Sequence, residues 1–117
     1  MVFELIRCSS SPSGYDFKVL HTFTGGADGA YPVAALLRDA AGNLYGTTSQ
    51  GGGTHNGVVF KLSPAGIETV LYSFTNGADG YFPAAGLVQD AAGNLYGTST
   101  YGGGSEGRGG VVFRLAP

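Results

Sequence analysis

Carboxylates are the residues readiest for chemistry in this sequence, and four of them come in matched pairs. Asp28 and Asp79 each lie in a Gly-Ala-Asp-Gly run, while Asp39 and Asp90 each open an Asp-Ala-Ala-Gly-Asn run. An aspartate beside glycine is suited to closing a turn, because its carboxylate accepts backbone N–H groups while glycine takes the left-handed conformation. That role is preferred to catalysis at all four positions. Calcium is the sharper alternative for Asp28 and Asp79, since carboxylate and backbone oxygens in glycine-rich loops suit that ion. A built calcium site gathers several oxygen ligands, whereas each of these loops brings one carboxylate. Beyond calcium, no cofactor is expected.

Aromatic residues form the second candidate group. Tyr31, Tyr81, Phe82 and Tyr101 adjoin glycine-rich loops and could present flat surfaces to a glycan or a peptide, with Gln50, Asp28 and Asp79 as nearby hydrogen-bonding groups. Packing inside the fold or at an interface is the competing role for each. The remaining candidates carry less chemistry. His21 and His55 are too few and too differently placed for zinc, and Cys8, the lone cysteine, has neither a disulfide partner in the chain nor a repeated histidine to activate it. Gly51-Gly52-Gly53 and Gly102-Gly103-Gly104 are not followed by the Lys-Ser or Lys-Thr of a phosphate loop and read as strand connections. With no Gly-x-Ser-x-Gly elbow and no paired-carboxylate or His-centred constellation, an enzyme is not expected; a glycosidase or lyase fragment is the third-ranked alternative.

The elements that hold these residues follow from an internal repeat. Residues 19–53 recur at 70–104 with a constant offset of 51, and 23 of those 35 positions are identical. A shorter piece occurs three times, as Val2-Phe3-Glu4-Leu5, Val59-Phe60-Lys61-Leu62 and Val112-Phe113-Arg114-Leu115. Length differences fall between these pieces: Ile6 to Lys18 is longer than Ser63 to Thr69, and Ser105 to Gly110 is longer than Thr54 to Gly57. Insertions confined to such places mark loops between strands.

Within each copy the apolar residues alternate with period two, the pattern of a strand with one buried face. Val58, Phe60 and Leu62 are expected to point one way, Val59 and Lys61 the other. Glu4, Lys61 and Arg114 share an equivalent position that this pattern puts on an exposed face. Four strands per copy are predicted, at Val33 to Arg38, Leu44 to Ser49, Val58 to Leu62 and Thr69 to Phe74, and the next set starts at Ala84. Asp39 to Asn43 joins the first two as a short hairpin. Because the first strand is rich in small residues, it suits a crowded inner position. The predicted fold is all-β, with β-propeller-like four-stranded antiparallel blades in about two repeats of 51 residues, incomplete at both ends. The division predicted is a partial blade at residues 1–24 carrying the third and fourth strands, a complete repeat at 25–75, and a second repeat lacking its last strand at 76–117.

Composition agrees with that class. A chain of 117 residues with 22 glycines, five prolines and 14 aromatics is too glycine-rich for a helical bundle and too apolar for a disordered linker. The net charge of −2 and scattered lysines and arginines give no footprint for nucleic acid. No stretch approaches the roughly 20 apolar residues of a spanning helix, and Met1 runs directly into strand-like sequence rather than a signal peptide, so the chain is expected to be soluble.

The text Asp-Ala-Ala-Gly-Asn-Leu-Tyr-Gly-Thr, the triple glycine, Val-Val-Phe-Lys-Leu-Ser-Pro and Val-Leu-Tyr-Ser-Phe-Thr-Asn-Gly-Ala-Asp-Gly closely resembles the GloVer-type tandem repeats of bacterial surface proteins. The resemblance covers nearly the whole chain. It implies a propeller-like fold, an extracellular or cell-surface setting in exported proteins with varied C-terminal anchors, and no generally assigned catalytic activity. A looser similarity to NHL-type blades, through the Asp-x-x-Gly-Asn-hydrophobic-Tyr hairpin, supports the strand order.

Nine strands do not make a whole number of four-stranded blades, and two repeats are too few to close a propeller. Exposed edges and faces call for cover. The expected partner is the chain itself, in a ring or fibre formed through Val2, Phe3, Leu5, Val19, Leu20, Phe23, Val112, Phe113 and Leu115; a fragment of a longer array is the other outcome. A structural, self-assembling role leads, and a carbohydrate- or peptide-binding segment is second.

Overall fold

The computed structural model describes residues 1–104 and 108–117. Ser105, Glu106 and Gly107, in the longer loop anticipated before the last strand, lie outside the described residues. Among the described residues every regular element is a strand. The strands are β1 (Val2–Arg7), β2 (Tyr15–His21), β3 (Leu37–Arg38), β4 (Leu44–Thr48), β5 (Val58–Leu62), β6 (Glu68–Ser73), β7 (Val88–Gln89), β8 (Leu95–Ser99) and β9 (Val111–Leu115). They form three antiparallel sheets, ordered β1-β2, β3-β4-β5-β6 and β7-β8-β9.

The first strand of each copy is shorter than the alternation predicts and lies at the edge of its sheet. In place of Val33 to Arg38 the ladder holds Leu37–Arg38, and in place of a strand from Ala84 it holds Val88–Gln89. The cause lies just upstream, where Ala30 bridges Gln50 and Tyr81 bridges Tyr101. Tyr31 and Phe82 then adopt positive φ, 56° and 59°, and Pro32 and Pro83 follow without an N–H to donate. Each of these first strands is thereby cut into a bridge and a two-residue remnant.

Two cores hold the sheets together. The first gathers Val2 from the hairpin with Val58, Phe60 and Leu62 from the middle sheet, with Leu20, Phe23, Leu44 and Val70 packed around them. The second gathers Val59 and Phe74 with Leu87 and Leu95, joined by Leu37, Tyr45, Tyr72, Phe113 and Leu115. The middle sheet is therefore covered on both faces. This corrects one expectation: Val59 lies on the side read as exposed, yet it is wholly buried because the third sheet covers it. Glu4 and Arg114 are exposed, while Lys61 is half-buried.

Glycine is required where a phenylalanine ring and a leucine close over the strand. A Cβ on Gly46 would stand 2.7 Å from the Phe60 ring and 2.8 Å from Leu36, and one on Gly97 would stand 2.6 Å from Phe113 and 2.7 Å from Leu87. The repeated Leu-Tyr-Gly-Thr text thus leaves a slot for a phenylalanine from the neighbouring strand. A further aromatic pairing crosses from sheet to sheet. Phe23, just after β2, meets Phe60 edge to face at 5.0 Å, and Phe74, just after β6, meets Phe113 in the same manner at 5.2 Å.

Candidate functional site

The carboxylate loops are built alike. After β2, the backbone N–H and hydroxyl of Thr24 donate to Asp28 at 3.0 and 2.6 Å, and after β6 the same groups of Thr75 donate to Asp79 at 2.9 and 2.6 Å. Each carboxylate also reaches back to its strand. His21 Nε2 lies 3.3 Å from Asp28, and the Tyr72 hydroxyl donates to Asp79 at 2.7 Å. Burial pushes both carboxyls up, but the bonds from Thr24 and His21, and from Thr75 and Tyr72, outweigh it and hold them below their ordinary value. The bond to Asp79 in turn raises the Tyr72 hydroxyl.

The hairpin aspartates follow a second shared plan. Asp39 accepts from the backbone and side-chain amides of Asn43, both at 2.9 Å, and from the Tyr45 hydroxyl at 3.0 Å. Asp90 accepts likewise from Asn94 and from Tyr96. The asparagine bonds are the largest reason that both carboxyls sit below their ordinary value. All four aspartates therefore have their oxygens engaged by their own turn and the strand beside it. Among the described residues, no three His, Cys, Asp or Glu side chains come together as a metal-binding group.

The aromatic candidates separate into two places. Tyr81 and Tyr101 stack with ring centres 5.3 Å apart and planes 26° apart, and Phe82 meets Tyr101 edge-on at 6.2 Å. Tyr31, the repeat counterpart of Phe82, is exposed beside the Ala30–Gln50 bridge that takes the place of the tyrosine pair. His55 lies in the connection before β5, and Cys8 follows β1, its thiol held below the ordinary value by the Ser10 hydroxyl at 3.1 Å.

Of the residues proposed for association, five are already engaged within the chain. Val2 is buried in the first core, where Leu20 and Phe23 pack, and Phe113 and Leu115 pack in the second. The other four are open to solvent. Phe3, Leu5 and Val19 line one outer face together with Phe17, which stacks on Phe3 at 5.3 Å, and Val112 is 81% exposed on the opposite outer face beside Val88 and Thr98. Sequence reasoning missed Phe17, Val88 and Thr98. The offset of 51 pairs them with Glu68, Leu37 and Thr47, so the signal was present, but which faces stay uncovered is a tertiary fact.

The model of the Gloeobacter/Verrucomicrobia repeat family matches residues 7–117. The chain belongs to this family. Comparison with curated proteins returned no match. In this Gloeobacter/Verrucomicrobia repeat chain, the candidate functional surface is thus a pair of outer sheet faces flanked by closed turns and by the Tyr81–Tyr101 stack.

Proposed function

We propose that this repeat chain is a structural, self-associating module of an extracellular or cell-surface protein, in which neighbouring copies complete a propeller-like stack of blades. One correspondence supports the reading. Phe3, Leu5 and Val19, exposed at one end, are counterparts of Phe60, Leu62 and Val70, which close the first internal junction. Val88, Thr98 and Val112, exposed at the other end, are counterparts of Leu37, Thr47 and Val59, of which Leu37 and Val59 sit in the second junction and Thr47 is buried with its hydroxyl 3.4 Å from the Ala85 carbonyl. The two outer faces are hence the two halves of a junction the chain already makes inside itself. Contiguous apolar surface of this kind favours association. A contact between unlike faces is heterologous, giving a ring when its rotation closes and a fibre when it does not. The surface setting draws on the family resemblance.

Size-exclusion chromatography with light scattering tests the reading. Multimers of the 11.9 kDa chain are expected, with Val112→Asp shifting them to monomer while the fold is retained. A monomer at every concentration overturns it.

The stacked Tyr81–Tyr101 pair favours a second reading, a platform for a glycan or peptide. Glycan-array binding that disappears in Tyr101→Ala with folding retained supports it, and absence of binding across diverse glycans removes it.

A further inference from the structure

The first junction holds a titratable group that neither the turns nor the outer faces use. β6 pairs with β5 through Phe60↔Val70 and Leu62↔Glu68, so Glu68 shares the face of Phe60, Leu62 and Val70, which the β1–β2 hairpin covers. Its repeat counterpart is Phe17, as Phe3, Leu5 and Val19 are the counterparts of the other three. At this one position of the four, a carboxylate stands where the other copy has an aromatic ring. Glu68 is half-buried, and its Oε1 is buried with no hydrogen-bond partner among the described residues. An ionised carboxylate is costly there, because nothing replaces the hydration it has lost.

The hairpin brings a second carboxylate to the same junction. His21, at the end of β2, meets Phe23 edge to face at 4.7 Å, Phe23 packs on Phe60, and His21 Nε2 lies 3.3 Å from Asp28. Burial is the chief reason that the Glu68 carboxyl is held above its ordinary value, with His21 pulling it down and Asp28 pushing it up. The other charged groups around the junction are Glu4 on β1, Lys18 on β2 and Arg38 on β3, which line the cleft beside Leu20 and Leu44, and Asp16, which lies opposite Ile6 toward the hairpin tip. Lys61, next to Leu62 on β5, lines the cleft against the third sheet beside Leu95.

We propose that Glu68 is a proton-operated latch on the β1–β2 hairpin: as the neutral acid it lets the hairpin seat on the middle sheet, and as the carboxylate it loosens that seat. A two-stranded hairpin is marginal by itself, so a loosened one also loses the protection of its own ladder. Because the folded value of Glu68 is raised, docking is strongest in mild acid, where Glu68 is protonated and Asp28, held below its ordinary value, is still ionised. Docking then weakens as pH rises through the raised value of Glu68. The latch lies within one chain and does not depend on association between copies.

Amide-exchange protection factors of the full chain, each corrected for the intrinsic rate at its pH, test the latch at about pH 4.5 and about pH 7.5. On going to the higher pH, amides of β1 and β2 are expected to lose about three-fold in protection relative to those of β8 and β9. Glu68→Gln, a neutral side chain of nearly the same shape, is expected to abolish that loss. Glu68→Phe, which carries the residue type of position 17, is expected to do the same and decides the matter should the first variant fail to fold. A hairpin protected equally at both pH values overturns the inference. So does a loss that survives the substitution, since it would then belong to His21 and Asp28 rather than to Glu68.

Discussion

Residues 29–37 and 80–88 are repeat counterparts, identical at four of nine positions and alike in the bridge and positive φ that open them, yet they live in different surroundings. In the second copy the Phe82 N–H donates to the Asn56 carbonyl at 3.0 Å, Pro83 is buried, and Leu87 is 6% exposed. In the first copy Tyr31 is 64% exposed, Pro32 is half-buried, and Leu36 is 40% exposed beside a cleft of about 460 Å³ that also touches Phe3, Leu20 and Leu44. The second copy rests on a full four-stranded sheet, whereas the first rests on a two-stranded hairpin. Burial in this molecule is thus a property of the junction rather than of the repeat text.

The comparison is sharpest at the phenylalanine of the third strand. Phe60 is fully buried while its counterpart Phe3 is 53% exposed. Phe60→Ala is expected to cost about 3–5 kcal/mol in denaturant unfolding, while Phe3→Ala in dilute protein should stay under about 1 kcal/mol. Equal costs would break the comparison. The leucine pair gives a smaller contrast: Leu87→Ala should cost about 2–4 kcal/mol, and Leu36→Ala at least about 1 kcal/mol less. Should the gap vanish, Leu36 is covered in solution by something beyond the isolated chain.

The smallest contrast is electrostatic, between the His21–Asp28 and Tyr72–Asp79 loops. Asp28, Asp39, Asp79 and Asp90 all have folded pKa values below the ordinary one. Their contribution to stability is complete above the ordinary carboxylate range and is lost as pH falls through each lowered value. Glu68, raised first by burial, acts in the opposite sense and withdraws stability as pH rises through its raised value. The melting temperature is therefore expected to fall in acid, below about pH 4, and Asp79→Asn to flatten that fall. Tyr72→Phe, which removes one donor to Asp79, should narrow it by less. A profile unmoved by Asp79→Asn would sink the loop assignment.

Much of the fold was legible in the sequence because strand alternation and turn chemistry are local. Val58–Leu62 was readable residue for residue, β4 and β6 to within one residue, and the Asp39 hairpin from its aspartate and glycine alone. The first strand of each copy was misjudged because a positive φ at Tyr31 and Phe82, residues with no intrinsic preference for it, is imposed by the bridges beside them. The candidate site was less legible still. Turn aspartates and aromatic positions could be found from spacing, but Val59 buried and Val112 exposed carry local text that differs only by Lys61 against Arg114 within the strand. Only the arrangement of sheets distinguishes them.

The edge-to-face rings that pass from Phe23 to Phe60 and from Phe74 to Phe113 have a directional consequence. Each contact is mutual, so fraying of either outer sheet strips a ring from the middle one: Phe60 loses Phe23 on one side, and Phe74 loses Phe113 on the other. Unravelling should therefore travel inward from both ends, visible as amide exchange that is fastest in the outer sheets and slowest in the middle one rather than a single uniform opening.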